Sequence, residues 1–404
     1  MMELLKAVKN WLNLSKDKTY IDSYIFRMHY RLTTILLLGC SALVTSHQYF
    51  GDPIDCLGNI QVKAEVLDRY CWIQKTFSLP VSWTADVGTR LSYPGVEADE
   101  IGSPKNRVYH AYYQWVCFVL FFQAVLFYVP HYVWKALEGG RMRKLIRKIP
   151  DPFDGESAFT DGVARVVCHM RAYRRTSFRY GVSYLSCEML NLVNVIGQTY
   201  LMDRFLGGEF FTYGLQVIAF TEWSQEVRYD PMIKRFPRVT KCTFRNFGPS
   251  GDIQQTDHMC LLSVNIINEK IYLFLWFWFF GLAAVTAVAA LYRIAIVIDF
   301  QHTRSFTLMT HHCIDPKNFR TLCHRLPYGE FLLLALLLNN IDRLAYDHFV
   351  EKAVKFYDND VSVLASSNDT KGWYNECKID FADNRPPNHR NPSSVPKHYS
   401  TTAI

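Results

Sequence analysis

The chain has 404 residues, with 44 Lys and Arg against 37 Asp and Glu. A formal net charge of +7 is modest and not gathered into one basic domain, which argues against a nucleic-acid binder. Eleven cysteines are too few and too scattered for a disulfide-rich secreted scaffold. The mean hydropathy of −0.03 would suit a soluble protein, but the apolar residues are bunched into four long runs. Each approaches the roughly 20 residues that cross a hydrocarbon core of about 30 Å. That bunching argues against a soluble globular enzyme.

The N-terminal stretch places Leu4, Leu5, Val8, Trp11 and Leu12 at helical spacing. Glu3, Lys6, Lys9, Asn10 and Asn13 take the other side. This predicts a short amphipathic helix rather than a secretory signal peptide. Its periodicity fits a membrane surface and a vestibule equally. Residues 1–31 are read as this helix and its lead-in.

The first predicted span is 32–50, apolar in its first half. Thr33, Thr34, Ser41, Thr45, Ser46, His47 and Gln48 lie within it, and Gly39 to Ala42 form a small-residue patch that lets a neighbour approach. A loop at 51–111 leads to the second span, 112–134, dense in Phe, Val and Leu. Pro130 predicts a kink there, because proline removes a backbone hydrogen bond. After the loop at 135–182, the third span, 183–202, is the least apolar. Its Glu188, Asn191, Asn194 and Gln198 share one helical stripe, which must face another helix or water. Hydrogen bonding within one subunit is the commoner use of such groups; a polar seam at a pore or subunit contact is the other. A loop at 203–270 precedes the fourth span, 271–298. Arg293, near its end, can snorkel. Residues 299–364 are read as a helical tail in water. Its apolar run, 331–338, is too short to cross a bilayer and is expected as a buried helix. Residues 365–404, rich in Pro, Asn and Ser, are expected to be disordered.

Four crossings put both termini on one side. The 135–182 loop carries Arg141, Arg143, Lys144, Arg147 and Lys148 just after the second span, which places it and both termini in the cytoplasm. The loops at 51–111 and 203–270 then lie outside. They hold two cysteines each, Cys56 with Cys71 and Cys242 with Cys260. Even-numbered cysteines in an oxidising compartment read as disulfides, and spacing leaves three pairings open. Cys40, Cys117, Cys168, Cys187, Cys313, Cys323 and Cys377 fall in spans or cytoplasmic segments, where free thiols are expected. Tyr112, Tyr113, Trp115, Tyr132, Trp134, Tyr272, Trp276 and Trp278 sit at span ends and are read mostly as interfacial anchors.

No nucleotide-binding, zinc-protease or hydrolase motif occurs, so no catalytic or cofactor-binding residue is assigned and the chain is not read as an enzyme. His311, His312, Cys313, Cys323 and His324 cluster in the tail, but their spacing matches no familiar zinc site, and no metal site is assigned. Sequons occur at Asn13 and Asn368, and the two outside loops contain none.

Several stretches together carry a family resemblance. Tyr112-Tyr113-Gln114-Trp115-Val116 heads the second span, which continues to Gly140. Gly51-Asp52-Pro53-Ile54 with Cys56, and Tyr70-Cys71-Trp72, occupy the first outside loop. Asp203 and Phe205-Leu206-Gly207-Gly208-Glu209-Phe210 open the second, and Phe236 to Phe244, Phe247 to Gly251 and Cys260 complete it. Asn268-Glu269-Lys270-Ile271-Tyr272 leads into the fourth span. In this order and spacing the chain resembles the innexins, the invertebrate gap-junction proteins. It departs at Gly329-Glu330-Phe331-Leu332, where the family often has Gly-Asp-Trp-Phe.

The resemblance implies an all-α membrane protein: a four-transmembrane-helix bundle with an N-terminal pore helix, a disulfide-linked extracellular loop domain with some β structure, and a cytoplasmic helical domain. It implies an oligomeric ring, expected as an octamer, in the plasma membrane. Two rings in apposed cells dock through their loops and pass ions and small molecules, and other innexins are possible partners, with membrane lipid around the ring. The alternative is a hemichannel-only, pannexin-like channel. By carry-over, Cys56 pairs with Cys260 and Cys71 with Cys242. Pore-lining candidates are Met1, Met2, Leu5, Lys6 and Lys9 of the N-terminal helix, with Gly51, Asp52 and Asp55. No cofactor is implied.

Overall fold

Ser23 starts the first helix: its hydroxyl accepts the Phe26 N–H at 3.2 Å. In the computed structural model this helix, α1, runs Tyr24–Phe50, with a π-helical stretch at Met28–Thr33. The structure describes residues 19–58, 62–83, 93–97, 107–150, 155–172, 174–222, 231–298, 326–341 and 343–358. Outside them lie Met1, Met2, Leu5, Lys6 and Lys9, the tail cluster from His311 to His324, and residues 365–404. Two compact units divide the chain. One comprises Asp22–Leu137 and Ser183–Ile294. The other comprises Met1–Ile21, Glu138–Val182 and Ala295–Ile404.

In the first unit, strand β1 (Asp55–Cys56), helix α2 (Ala64–Ile73), β2 (Thr76–Ser78) and β3 (Val108–His110) follow α1. Helix α3 is Val116–Glu138 and continues into the other unit. Helices α4 (Arg141–Ile146) and α5 (Glu156–Ala172) belong to that other unit. Helix α6, Arg174–Phe205, has 32 residues and enters the first unit at Ser183. Then come α7 (Phe210–Glu222), α8 (Pro231–Arg235), β4 (Val239–Phe247) and β5 (Ile253–Leu261). Helix α9 is Ser263–Val297. Among the described residues, α1, α3 and α9 are long and apolar enough to cross a membrane. Residues 183–202 lie inside α6, whose ~48 Å length would suffice but whose composition is more polar.

Polar groups within the apolar helices of this unit find partners on neighbouring helices. Ser41 donates to the Cys117 carbonyl at 2.9 Å, and Gln48 to the Tyr113 carbonyl at 2.7 Å, tying α1 to the head of α3. His29 Nε2 meets Thr286 Oγ1 at 2.8 Å, and the Trp278 indole donates to Thr33 Oγ1 at 3.0 Å, tying α1 to α9. The α6 stripe is satisfied only in part: Gln198 donates to Asn194 Oδ1 at 3.2 Å, while Asn191 Oδ1, Asn194 Nδ2 and Gln198 Oε1 are buried without a hydrogen-bond partner among the described residues. Glu188 pairs with Arg293 at 3.1 Å, and Gln123 donates to the Gln198 carbonyl at 3.4 Å. Arg293, read as a snorkelling cation, is therefore an ion-pair partner that also lies over the Tyr184 ring. Asp22, whose side chain is 3% exposed, meets Arg27 at 3.6 Å and His131 at 3.5 Å. Pro130 is buried inside a continuously assigned α3, and its missing N–H leaves the Leu126 carbonyl without its helical donor.

The interfacial-anchor reading needs correction for several aromatics. Tyr113, Trp134 and Tyr272 are fully buried and Trp276 nearly so. Trp134 packs edge-on to Tyr184 at 4.9 Å, and Tyr272 lies 5.3 Å from Phe236. Burying such large rings against each other contributes more than a headgroup position offers. Trp115 and Tyr132 remain exposed.

The second unit ends with α10 (Tyr328–Leu338) and α11 (Arg343–Asp358). Every residue of α10 except Ala335 is buried. Gly329 permits this, since a Cβ there would come within 2.2 Å of the Ser177 carbonyl oxygen. Helix α11 packs on α5, where Phe159 meets His348 edge-on at 6.3 Å. Glu138 caps α4 by accepting from Gly140 N–H and Met142 N–H, each at 2.7 Å. Gly139 and Gly140 supply the left-handed turn (φ 61° and 75°) that lets it do so. Cys168 is disulfide-bonded, against the expected free thiol, and its partner lies outside the described residues. A disulfide needs two thiols in bonding geometry and a two-electron acceptor, and the sequence position of Cys168 displays neither. Cys40, Cys117 and Cys187 are free.

Candidate functional site

The loops at 51–111 and 203–270 fold together. Their strands form one five-stranded antiparallel sheet in the order β1-β5-β4-β2-β3. The β4–β5 hairpin comes from the second loop and is flanked on both sides by strands of the first. Nine residue pairs hold the hairpin, from Val239 opposite Leu261 to Phe247 opposite Ile253. Phe77 of β2 pairs with Lys241 of β4 on one side, and Asp55 and Cys56 of β1 pair with Leu261 and Cys260 of β5 on the other.

Two disulfides lock this interleaving. Cys56 is bonded to Cys260 across directly opposed strands, with Cα atoms 4.0 Å apart. Cys71, on α2, is bonded to Cys242 of β4, with Cα atoms 5.9 Å apart. The bonds are nested in sequence, spanning 204 and 171 residues. All four cysteines are buried, and the sulfurs of Cys56, Cys71 and Cys260 lie within 4.8 Å of one another. Sulfurs spent in disulfides are not metal ligands, so this proximity is a covalent knot and not a metal centre. Asp68 of α2 accepts the Cys56 N–H at 2.6 Å. Burial, and the carboxylates of Asp55, Asp52 and Glu65, push the Asp68 carboxyl up, while that N–H pulls it down.

The motif residues have identifiable jobs. Tyr112 donates to the Arg235 carbonyl at 3.1 Å, and Gln114 donates to the Trp72 carbonyl. Buried Tyr113 stacks near Trp72 at 5.1 Å. Buried Val116 begins α3, and Trp115 is exposed. The signature thus ties the head of one apolar helix to both loops. Asp203 accepts from the N–H groups of Phe210 and Phe211 at 2.9 and 3.2 Å and so caps α7, with Gly207 and Gly208 turning left-handed between. Glu209 then pairs with Lys234 at 3.2 Å. Gly51, Asp52 and Asp55, at the end of α1 and in β1, are exposed.

Arg238, Lys241 and Glu269 fall in the family-resembling stretches, but pattern reading gave them no role, and it passed over His110. Arg238 grips the nearly fully buried carboxylate of Glu269 with two nitrogens, at 2.8 and 3.1 Å. Lys241 bridges to Asp257 at 3.4 Å. His110 lies buried on β3 with Ser78 Oγ at 2.8 Å from Nε2. Burial, and next the Arg235 guanidinium, lower its imidazole to about 4. Arg238–Glu269 and Ser78–His110 join residues more than 30 positions apart, and Lys241–Asp257 joins residues 16 apart across the β4–β5 hairpin, so each depends on the tertiary fold.

The features define a class: a helical protein with several membrane-length apolar helices and a disulfide-locked sheet made from the segments between them. The innexin family model matches residues 22–357. The chain is 43% identical to innexin inx2 of Schistocerca americana, over 88% of this chain and 98% of that protein. It is 42% identical to innexin inx2 of Drosophila melanogaster, over 87% and 94% respectively. With innexin shaking-B of the same fly it shares 38% identity, over 87% and 94%. The chain belongs to the innexin family. Innexins are gap-junction channel proteins of the plasma membrane.

Two outcomes test the site. Replacing Cys71 by Ser leaves Cys242 unpaired and removes a cross-link worth about 2–5 kcal/mol; surface delivery or junctional coupling should be lost, and normal coupling would refute the role given to the disulfide. The second concerns pH. His110 has a folded value near 4 against an ordinary 6.5, so the folded state binds fewer protons. The associated stability is full above pH 6.5 and is lost as pH falls toward 4. The His110→Gln protein should lose this acid-dependent component, on the order of 3 kcal/mol, in thermal melts across that window. Identical pH profiles for the two proteins would contradict it.

Proposed function

We infer that this innexin is a structural subunit of a gap-junction channel that passes ions and small molecules between adjacent cells. The single observation that carries the reading furthest is the sheet shared by the two inter-span loops and locked by two disulfides. A docking face must already be ordered when it meets its partner, because loops frozen on contact would oppose binding. The hairpin tip offers Phe247 and Ile253 as a paired, exposed apolar couple, 77% and 65% accessible. Exposed apolar groups on a rigid edge suit a protein partner. Neither loop carries an N-glycosylation sequon, so no N-linked glycan holds the faces apart.

In this reading α1, α3, α6 and α9 are the four spans, and both termini and the basic 135–182 loop are cytoplasmic. The subunits form a ring, an octamer, which docks to a second ring and is embedded in lipid. Met1, Met2, Leu5, Lys6 and Lys9 line the cytoplasmic funnel. Gly51, Asp52 and Asp55 line the outer mouth, where the two carboxylates favour cations. Gly39, Ala42 and Ser46 share an exposed face of α1 and give a neighbouring subunit or the pore a small-residue surface.

Paired cells expressing the chain test this. Current and small dyes should pass between partners. Surface-expressed protein that gives single-cell current without coupling between pairs would overturn it in favour of a hemichannel.

A further inference from the structure

We propose that the cleft between the C-terminal ends of α1 and α2 and the head of α3 binds a quaternary ammonium group, such as the choline of a phospholipid headgroup. The cleft measures about 280 Å³, small for a drug-sized site and suited to a headgroup. Four rings line it: Tyr49, Trp72, Trp115 and Phe118. Tyr49 and Trp115 are 68% and 59% exposed, so their faces are open to a ligand. Trp72 is held by Tyr113, and Trp115 leans on Phe118 at 6.0 Å. The two remaining polar side chains are Gln48 and Gln114. Each donates through its amide nitrogen to a backbone carbonyl, Gln48 to Tyr113 and Gln114 to Trp72. That fixes both amides and leaves their oxygens as acceptors.

Among the described residues, no charged side chain lines the cleft. An anion would find no cationic donor there. A cation that donates no strong hydrogen bond finds ring faces of negative quadrupole and amide dipoles. This is the chemistry that recognises quaternary ammonium. The proposal rests on the gap-junction reading in one respect: it places these helix ends at the headgroup level, where amphipathic rings concentrate.

The test uses purified full-length protein in micelles containing equal dioleoyl-phosphatidylcholine and dioleoyl-phosphatidylglycerol, with retained lipid read by native mass spectrometry. The protein should retain phosphatidylcholine preferentially. Trp115→Leu and Tyr49→Leu should each cut the preference roughly fivefold, and Trp115→Phe should keep it. Should Trp115→Leu yield no particles, Tyr49→Leu carries the comparison alone. Excess soluble phosphocholine separates two sources: displacement of the lipid shows that a free ammonium compound suffices, and retention shows that the bilayer supplies the ligand. Equal retention of both lipids, as expected if a neighbouring subunit fills the cleft, overturns the proposal. So does an unchanged preference in both leucine variants. Lipid retention is read on solubilised particles and coupling on paired cells, so either reading can fail without the other.

Discussion

Two loops far apart in sequence share one sheet, and everything at this end of the molecule depends on that sharing. The β4–β5 hairpin cannot leave without breaking pairings to β1 on one side and β2 on the other. The bonds Cys56–Cys260 and Cys71–Cys242 make the arrangement covalent. Closing loops of 204 and 171 residues removes much freedom from the unfolded chain. The folded result is a stiff platform, with its hairpin tip projecting an apolar pair.

The platform also sets the helices. Tyr112 and Gln114 bind backbone carbonyls of Arg235 and Trp72, one on each loop, and Gln48 binds that of Tyr113, so the ends of α1 and α3 are tied to each other and to short helices of the same two loops. Farther along, the polar groups of the apolar helices bond to each other: His29 with Thr286, Ser41 with Cys117, Glu188 with Arg293. In hydrocarbon each would otherwise be costly, so these contacts select one packing of the helices. A channel needs such a fixed wall, because the water-filled path is defined by which faces remain unpartnered.

Much of this was legible in the sequence, and for stated reasons. Long apolar runs announce helices because the bilayer sets their length. The stripe from Glu188 to Gln198 announces a buried polar face because amides are costly in hydrocarbon. The five-stranded sheet was not legible: its strands are short, and β1 and β5 pair residues some 200 positions apart. Arg238–Glu269 and His110–Ser78 were hidden for the same reason. Aromatics at span ends look alike in sequence whether they face lipid, as Trp115 and Tyr132 are free to do, or fill the core, as Trp134 and Tyr272 do. The bonded Cys168 shows that compartment arguments do not settle a cysteine's state. The glycines of Glu138-Gly139-Gly140 and Gly207-Gly208 were visible as motifs, but their function as left-handed links beside capping carboxylates emerges only from the backbone.

Imaging of particles extracted from junctions of coupled cells bears most directly on the central claim. Two coaxial rings should appear, meeting at the disulfide-locked sheets with the β4–β5 tips at the midplane and a continuous pore along the axis. Monomeric particles, or paired rings held together by surfaces other than these sheets, would contradict it.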